Sequence, residues 1–371
     1  MKILLNHNPL APSNAAPADF RTAAQARPAW ITPQQPRPLP EVTAYRLQCD
    51  LPQDATIRVH VSADERYLLY VDGQVVGRGP ERGSDRAWFY ESYDLTLTAG
   101  PHTLVALVWQ LGEIAPGAQV GLAGGFLLEA EGEQGARLST KSGEWLCKPV
   151  DGLTFAMPGG GRRMAWFVEP TQTTDGAHYP WGIERAKARL AAGQCSPRGC
   201  CVRLGLYATH LLRPAMLLSR LANQRRMGRV RFVSAKAWKD PQNIAVDAAA
   251  APSRRRWPPR QALVDGAQPL EIPAHSHRQV ILDLEEYFCA YPQVQLSGGR
   301  GSRLVVGWAE ALHLDASGRE KGQRDGVEGR TLIALCQDVV LPDGSAQRHY
   351  EPLWWRSPPC IALLIETGKS R

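Results

Sequence analysis

The pair Asp72-Gly73 stands between Tyr67-Leu68-Leu69-Tyr70-Val71 and Gln74-Val75-Val76-Gly77-Arg78-Gly79, two runs rich in β-branched and aromatic residues. An Asp-Gly pair readily takes the positive φ angles of a two-residue turn, so the stretch predicts a tight β-hairpin. Just before it, Ile57, Val59 and Val61 alternate with Thr56, Arg58 and His60, the period of a strand with one face on a core. His102 to Trp109 is nearly continuous apolar, which suits a strand covered on both faces. Gln119 to Glu129 carries Gly121, Gly124 and Gly125, and predicts a strand with a bulge or a close backbone approach.

The rest of the chain fits the same picture. In 371 residues there are 34 Gly and 29 Pro, more than a helical protein tolerates, and they favour short strands joined by turns. The expected fold is all-β: two β-sandwich, jelly-roll-like domains joined by a basic linker. Residues 1–40, rich in Pro, Ala and Gln, read as an extended lead-in. Residues 41–180 form the first sandwich, and 181–264 the linker, with short helical pieces at Ile183 to Ala192 and around Leu211 to Met227. Residues 265–371 form the second sandwich, with strands at His277–Leu284, Arg303–Glu310, Thr331–Leu341 and Ile361–Glu366. Because Ser357-Pro358-Pro359-Cys360 precedes the last of these, and proline cannot donate to a sheet ladder, that strand is expected to be poorly made and the second domain marginal, as in a truncated product.

Charge separates the linker from its surroundings. Residues 181–260 hold 17 Lys or Arg against 3 Asp or Glu, whereas the remainder holds 26 against 33. Arg outnumbers Lys 35 to 8 throughout, so the excess reads as a solvated, Arg-rich segment and not as a nucleic-acid surface. The cysteines at 49, 147, 195, 200, 201, 289, 336 and 360 include no Cys-x-x-Cys pair, and no His stands at zinc-ligand spacing from 195–201; they read as small buried hydrophobes in a reducing compartment, with no metal and no cofactor. The first residues lack the apolar core of a secretion signal and no run approaches membrane-span length, so no membrane association and a cytoplasmic location are expected.

Several motifs carry a resemblance. The string YVDGQVVGRGPERG at 70–83, followed by Trp88-Phe89-Tyr90 and Tyr93-Asp94-Leu95, resembles the N-terminal β-sandwich of bacterial α-L-rhamnosidases and related glycoside hydrolases. WAEALHLDASGREKGQRDGVEG at 308–329, with DVVLPDG at 338–344 and RHYEPLWWR at 348–356, resembles the domain that directly precedes their catalytic barrel. The resemblance covers roughly residues 41–181 and 265–366 and implies carbohydrate metabolism: release of terminal α-L-rhamnose by an inverting mechanism, one carboxylic acid protonating the leaving oxygen while a carboxylate opposite activates water. In that family the two carboxyls come from an α/α barrel and an acidic Asp-Cys-Pro-Gln-Arg-Asp-Glu-Arg-like string, neither of which this sequence contains, so no catalytic residue is carried over. The resemblance therefore implies a non-catalytic accessory region whose partners are a rhamnose-containing glycan and a catalytic domain outside this sequence. A stand-alone carbohydrate-binding module, or a remnant without activity, is the alternative.

Candidate binding residues follow from side-chain chemistry. Trp88 and Tyr90 could offer flat apolar faces to a sugar while Arg86 and Asp85 take its hydroxyls. Trp354, Trp355 and Arg356 sit where two domains would join and read as an interface. Glu310, Asp325 and Glu328, near Arg324 and His313, are the carboxylates best suited to acid–base work, though loop carboxylates beside Arg are more often solvated ion pairs. Asp315, Asp325 and Glu328 lack the spacing of a calcium loop.

Overall fold

The computed structural model describes residues 2–10, 29–84, 86–117, 119–122, 124–142, 144–157, 170–185, 200–203, 211–218, 224–226, 228–238, 243–246, 258–334, 336–357 and 359–368. Their regular structure is nearly all β-strand, as the sequence predicts, and they divide into two compact units. Met1–Asp151 and Pro180–Leu221 make the first; Gly152–Tyr179 and Ala222–Arg371 make the second. Among the described residues, no helix is long and apolar enough to cross a membrane.

The first unit is a sandwich of two sheets. One runs in the order Lys2–Ile3, Trp88–Leu97, Ala55–Asp64, Gly125–Ala130, Trp30–Pro33, Cys200–Arg203, with Leu212–Pro214 pairing in parallel with Trp88–Tyr90. The other runs Leu146–Pro149, Glu41–Leu51, Gly100–Gln110, Arg66–Val71, Gln74–Gly79. Period-two alternation turns Ile57, Val59 and Val61 from one sheet and Tyr45, Leu47, Leu104, Ala106, Tyr67 and Leu69 from the other into a single core. The hairpin forms at Asp72 (φ 50°) and Gly73 (φ 81°), where the Asp72 carboxylate accepts the Thr103 N–H at 2.8 Å.

Two expectations are corrected here. The proline-rich lead-in is not simply extended: its two ends supply edge and inner strands, Lys2–Ile3 and Trp30–Pro33. The basic segment is not simply a linker, since Cys200–Arg203 and Leu212–Pro214 are strands of the first unit, and the helix expected around Leu211 starts instead as a strand. Pro214 stands at the end of that strand, where a residue without an N–H is tolerated.

In the second unit a seven-stranded sheet carries a two-stranded ribbon on each face. Its order is Leu153–Ala156, Thr171–Asp175, Cys336–Leu341, Arg303–Ala309, Cys360–Glu366, His277–Asp283, Arg229–Ser234, and all neighbours are antiparallel except Thr171–Asp175 with Cys336–Leu341. Cys360, Ala362 and Leu364 face one core, shared with Val305, Ile281 and the ribbon residues Ile244 and Leu332. Ile361, Leu363 and Ile365 face the other, with Leu304, Val306, Trp308 and the ribbon residues Val294, Leu296 and Tyr350. Thus the last strand is not poorly made: it is an interior strand, paired over seven residues on each side. Pro359 lies before it, and only its carbonyl is used, accepting the Leu284 N–H at 2.7 Å. The boundary expected at residue 180 also moves, because Leu153–Ala156 and Thr171–Asp175 join this sheet, and Arg229–Ser234, from the basic segment, closes its far edge.

Candidate functional site

The aromatic patch expected to face solvent is folded inward. Trp88 is 3% exposed and Tyr90 is 0% exposed, because the strand that carries them is covered by the N-terminal segment and by Leu212–Pro214. The Tyr90 hydroxyl donates to Asn8 Oδ1 at 2.7 Å, Asn8 Nδ2 donates to the Leu212 carbonyl at 2.8 Å, and burial pushes the Tyr90 hydroxyl pKa up. His60 packs edge-on to Tyr90 and sits between Ser92 Oγ and Glu131 Oε1, both at 2.9 Å. Trp88 and Tyr90 therefore do not present the flat open faces that sugar stacking requires. Arg86 is exposed at the surface, and Asp85 lies outside the described residues.

The Trp354-Trp355-Arg356 motif divides into two parts. The Trp rings stack at 5.5 Å, Trp354 buried and Trp355 half-buried. Arg356 is 2% exposed and clamps Asp338, itself 0% exposed, in a bidentate pair of 3.0 and 2.6 Å, while its Nη2 also donates to the Pro170 carbonyl. Asp338 accepts the Gln172 N–H as well, so this pair ties Cys336–Leu341 to the parallel strand beside it. Burial opposes the charge on Arg356, but Asp338 outweighs it and holds the guanidinium above its ordinary range. Arg356 is thus an internal clamp of its own unit.

Each candidate carboxylate is engaged by a basic side chain. Glu310 accepts Lys321 Nζ at 2.9 Å, Asp325 pairs with Arg324, and Glu328 accepts Arg231 Nη2, which lies 2.9 Å from Glu328 Oε1. Burial works against ionisation of Glu328, yet Arg231 holds it below the ordinary carboxylate range. Among the described residues no group of three or more His, Cys, Asp or Glu could hold a metal ion.

A cavity that the sequence did not single out lies at one end of the first sandwich. Along Glu41–Leu51 the inward positions read Leu47, Tyr45, Thr43, Glu41, so the side chains facing the opposite sheet change from apolar to polar toward the strand start. Gln110 is the register partner of Glu41 across the ladder. There the core gives way to a space of about 180 Å³, lined by these polar residues, by Thr32, Pro33, Gln34 and Pro36, and by Gly124 and Gly125.

Two devices keep the space open. Gly124 has φ +74°, a left-handed backbone that favours glycine, and a Cβ there would come within 2.7 Å of the Gln110 side-chain oxygen, which would have to shift. Asp64, fully buried, holds the same loop by accepting the Leu122 and Gly124 N–H groups at 2.8 and 3.1 Å. Glu41 is 9% exposed; its Oε2 accepts the Arg37 N–H at 3.3 Å, while its Oε1 has no hydrogen-bond partner among the described residues. Burial raises its carboxyl above the usual range, against the lowering effect of that N–H and of the Arg37 charge. The arrangement can accept and donate hydrogen bonds, but it contains no nucleophile poised beside a base. The close approach expected at Gly124 and Gly125 was the sequence signal for it; the polar residues at inward positions of Glu41–Leu51 were the signal overlooked.

No protein-family model matches the chain, and no curated protein matches it. Among solved structures it is similar to an α-L-rhamnosidase from Dictyoglumus thermophilum, with a TM-score of 0.52 and 12% identity over 93% of this chain and 34% of that one. It is similar also to native α-L-rhamnosidase from Aspergillus terreus, with a TM-score of 0.50 and 12% identity over 93% of this chain and 36% of that one. The chain spans about a third of the length of either structure. At this identity the likeness is one of fold alone.

Proposed function

We propose that this chain is the β-sandwich region of an α-L-rhamnosidase-type glycoside hydrolase, that its own task is to hold carbohydrate, and that it does not perform hydrolysis. The observation that carries the reading is the fold shared with two α-L-rhamnosidases over 93% of this chain and about a third of theirs. The sequence motifs at 70–83 and 308–356 support it independently. The carboxylates add to it. An inverting hydrolysis needs an acid and a base facing one another across a sugar; Glu310, Asp325 and Glu328 are instead engaged by Lys321, Arg324 and Arg231.

The test is turnover of an aryl α-L-rhamnoside by the purified chain. No release above the buffer blank is expected. Turnover that disappears in Glu310→Gln would overturn the reading by locating chemistry in this region.

A further inference from the structure

We infer that the cavity between Glu41, Gln110 and Gly124 is a binding site for one neutral monosaccharide unit, with the Glu41 carboxylate and the Gln110 amide taking its hydroxyls. The inference rests on the carbohydrate reading above and gives it a place and a ligand class. Three observations lead to it. First, Glu41 Oε1 is a buried carboxylate oxygen without a hydrogen-bond partner among the described residues, and an unmet acceptor of this kind costs free energy that a ligand donor recovers. Second, Glu41 is one of the residues that line a space of about 180 Å³. This is room for a single sugar ring, well short of the ~300 Å³ at which drug-sized pockets begin.

Third, the rest of the wall selects the ligand class. Thr32, Gln34, Thr43 and Gln110 give neutral donors and acceptors, while Pro33, Pro36 and Val108 give small apolar surfaces suited to the C–H faces of a pyranose. No Lys or Arg is among the lining residues, the nearby Arg37, whose charge reaches Glu41, is paired with Asp151, and a lone carboxylate is a poor cage for a divalent ion. The wall is also preorganised: Asp64 fixes the loop that carries Gly124, and Glu41 and Gln110 are held opposite one another by the strand ladder.

The experiment is calorimetric titration of L-rhamnose, with inorganic phosphate as the anionic comparison, into the whole chain and into Glu41→Gln, Glu41→Leu and Gln110→Ala. Thermal unfolding identifies which variants fold. Saturable binding of L-rhamnose is expected, weakened about tenfold or more in Glu41→Leu and measurably in Gln110→Ala, with no binding of phosphate. Should Glu41→Leu fail to fold, Glu41→Gln and Gln110→Ala still decide the matter. If the wild type binds L-rhamnose and the folded variants bind it equally well, this site is wrong while the carbohydrate reading stands. If phosphate binds in preference to the sugar, the ligand class is wrong. If the wild type binds no sugar at all, the site falls, and the hydrolysis assay still judges the non-catalytic reading separately.

Discussion

Arg356 shows how far a side chain's role depends on burial that the sequence does not display. In a Trp-Trp-Arg string it reads as an interface residue; in the fold it is one half of a buried ion pair with Asp338. Removing one partner leaves the other as an uncompensated buried charge, so Arg356→Met is expected to lower stability by about 3–5 kcal/mol in urea unfolding. A change below about 1 kcal/mol would contradict the buried clamp. Trp88 and Tyr90 teach the same lesson, because an aromatic pair on a strand looks alike in sequence whether its face meets water or a covering segment. Glu41 provides a test by pH. Its carboxyl is raised in the folded state, first by burial. A raised acid contributes stability fully present below its unfolded value near 4.5 and lost as pH rises through the folded value. Glu41→Gln removes that loss, so its melting temperature is expected to exceed the wild type's at pH 7, with the gain shrinking toward pH 4. A gain independent of pH would show that ionisation of Glu41 is not the cause.

At the scale of elements, local signals were legible and distant pairings were not. The Asp72-Gly73 hairpin, the alternating strand at Ala55–Asp64 and the doubly covered Gly100–Gln110 were visible because turn chemistry and side-chain period are written in consecutive residues. Gly73 carries the hairpin: its φ of +81° is a conformation that other L-residues adopt at a cost of about 1–2 kcal/mol, and an added Cβ would meet Arg185 Cγ at 2.5 Å. Gly73→Val is therefore expected to lower the thermal midpoint of the first unit, and an unchanged midpoint would mean that the turn relaxes at no cost. By contrast, Thr171–Asp175 pairs in parallel with Cys336–Leu341, and no turn residue marks a parallel pairing across so long a separation. The proline pair at 358–359 misled for a related reason: Pro is incompatible with a central strand only inside it, and Cys360–Glu366 starts one residue later.

At the scale of the whole molecule, each unit draws on two separated stretches of chain. The basic segment is consumed in this exchange: Leu212–Pro214 completes the first unit, while Arg229 and Arg231 reach Asp283 from the edge strand of the second. Composition alone marks such a segment as a linker, because its charge says where it is solvated and nothing about which sheet it closes. What unites the observations is a first unit whose apolar interior opens at one end into a cavity lined by Glu41, Thr43, Gln110 and two glycines, and a second unit whose candidate carboxylates Glu310, Asp325 and Glu328 are engaged by Lys321, Arg324 and Arg231. The measurement that tests this most directly is a calorimetric titration of a rhamnose-terminated oligosaccharide into the intact chain. A single saturable isotherm with Kd on the order of 1 mM, about −4 kcal/mol, is the expected result; heats no larger than dilution up to the solubility limit of the glycan would contradict it.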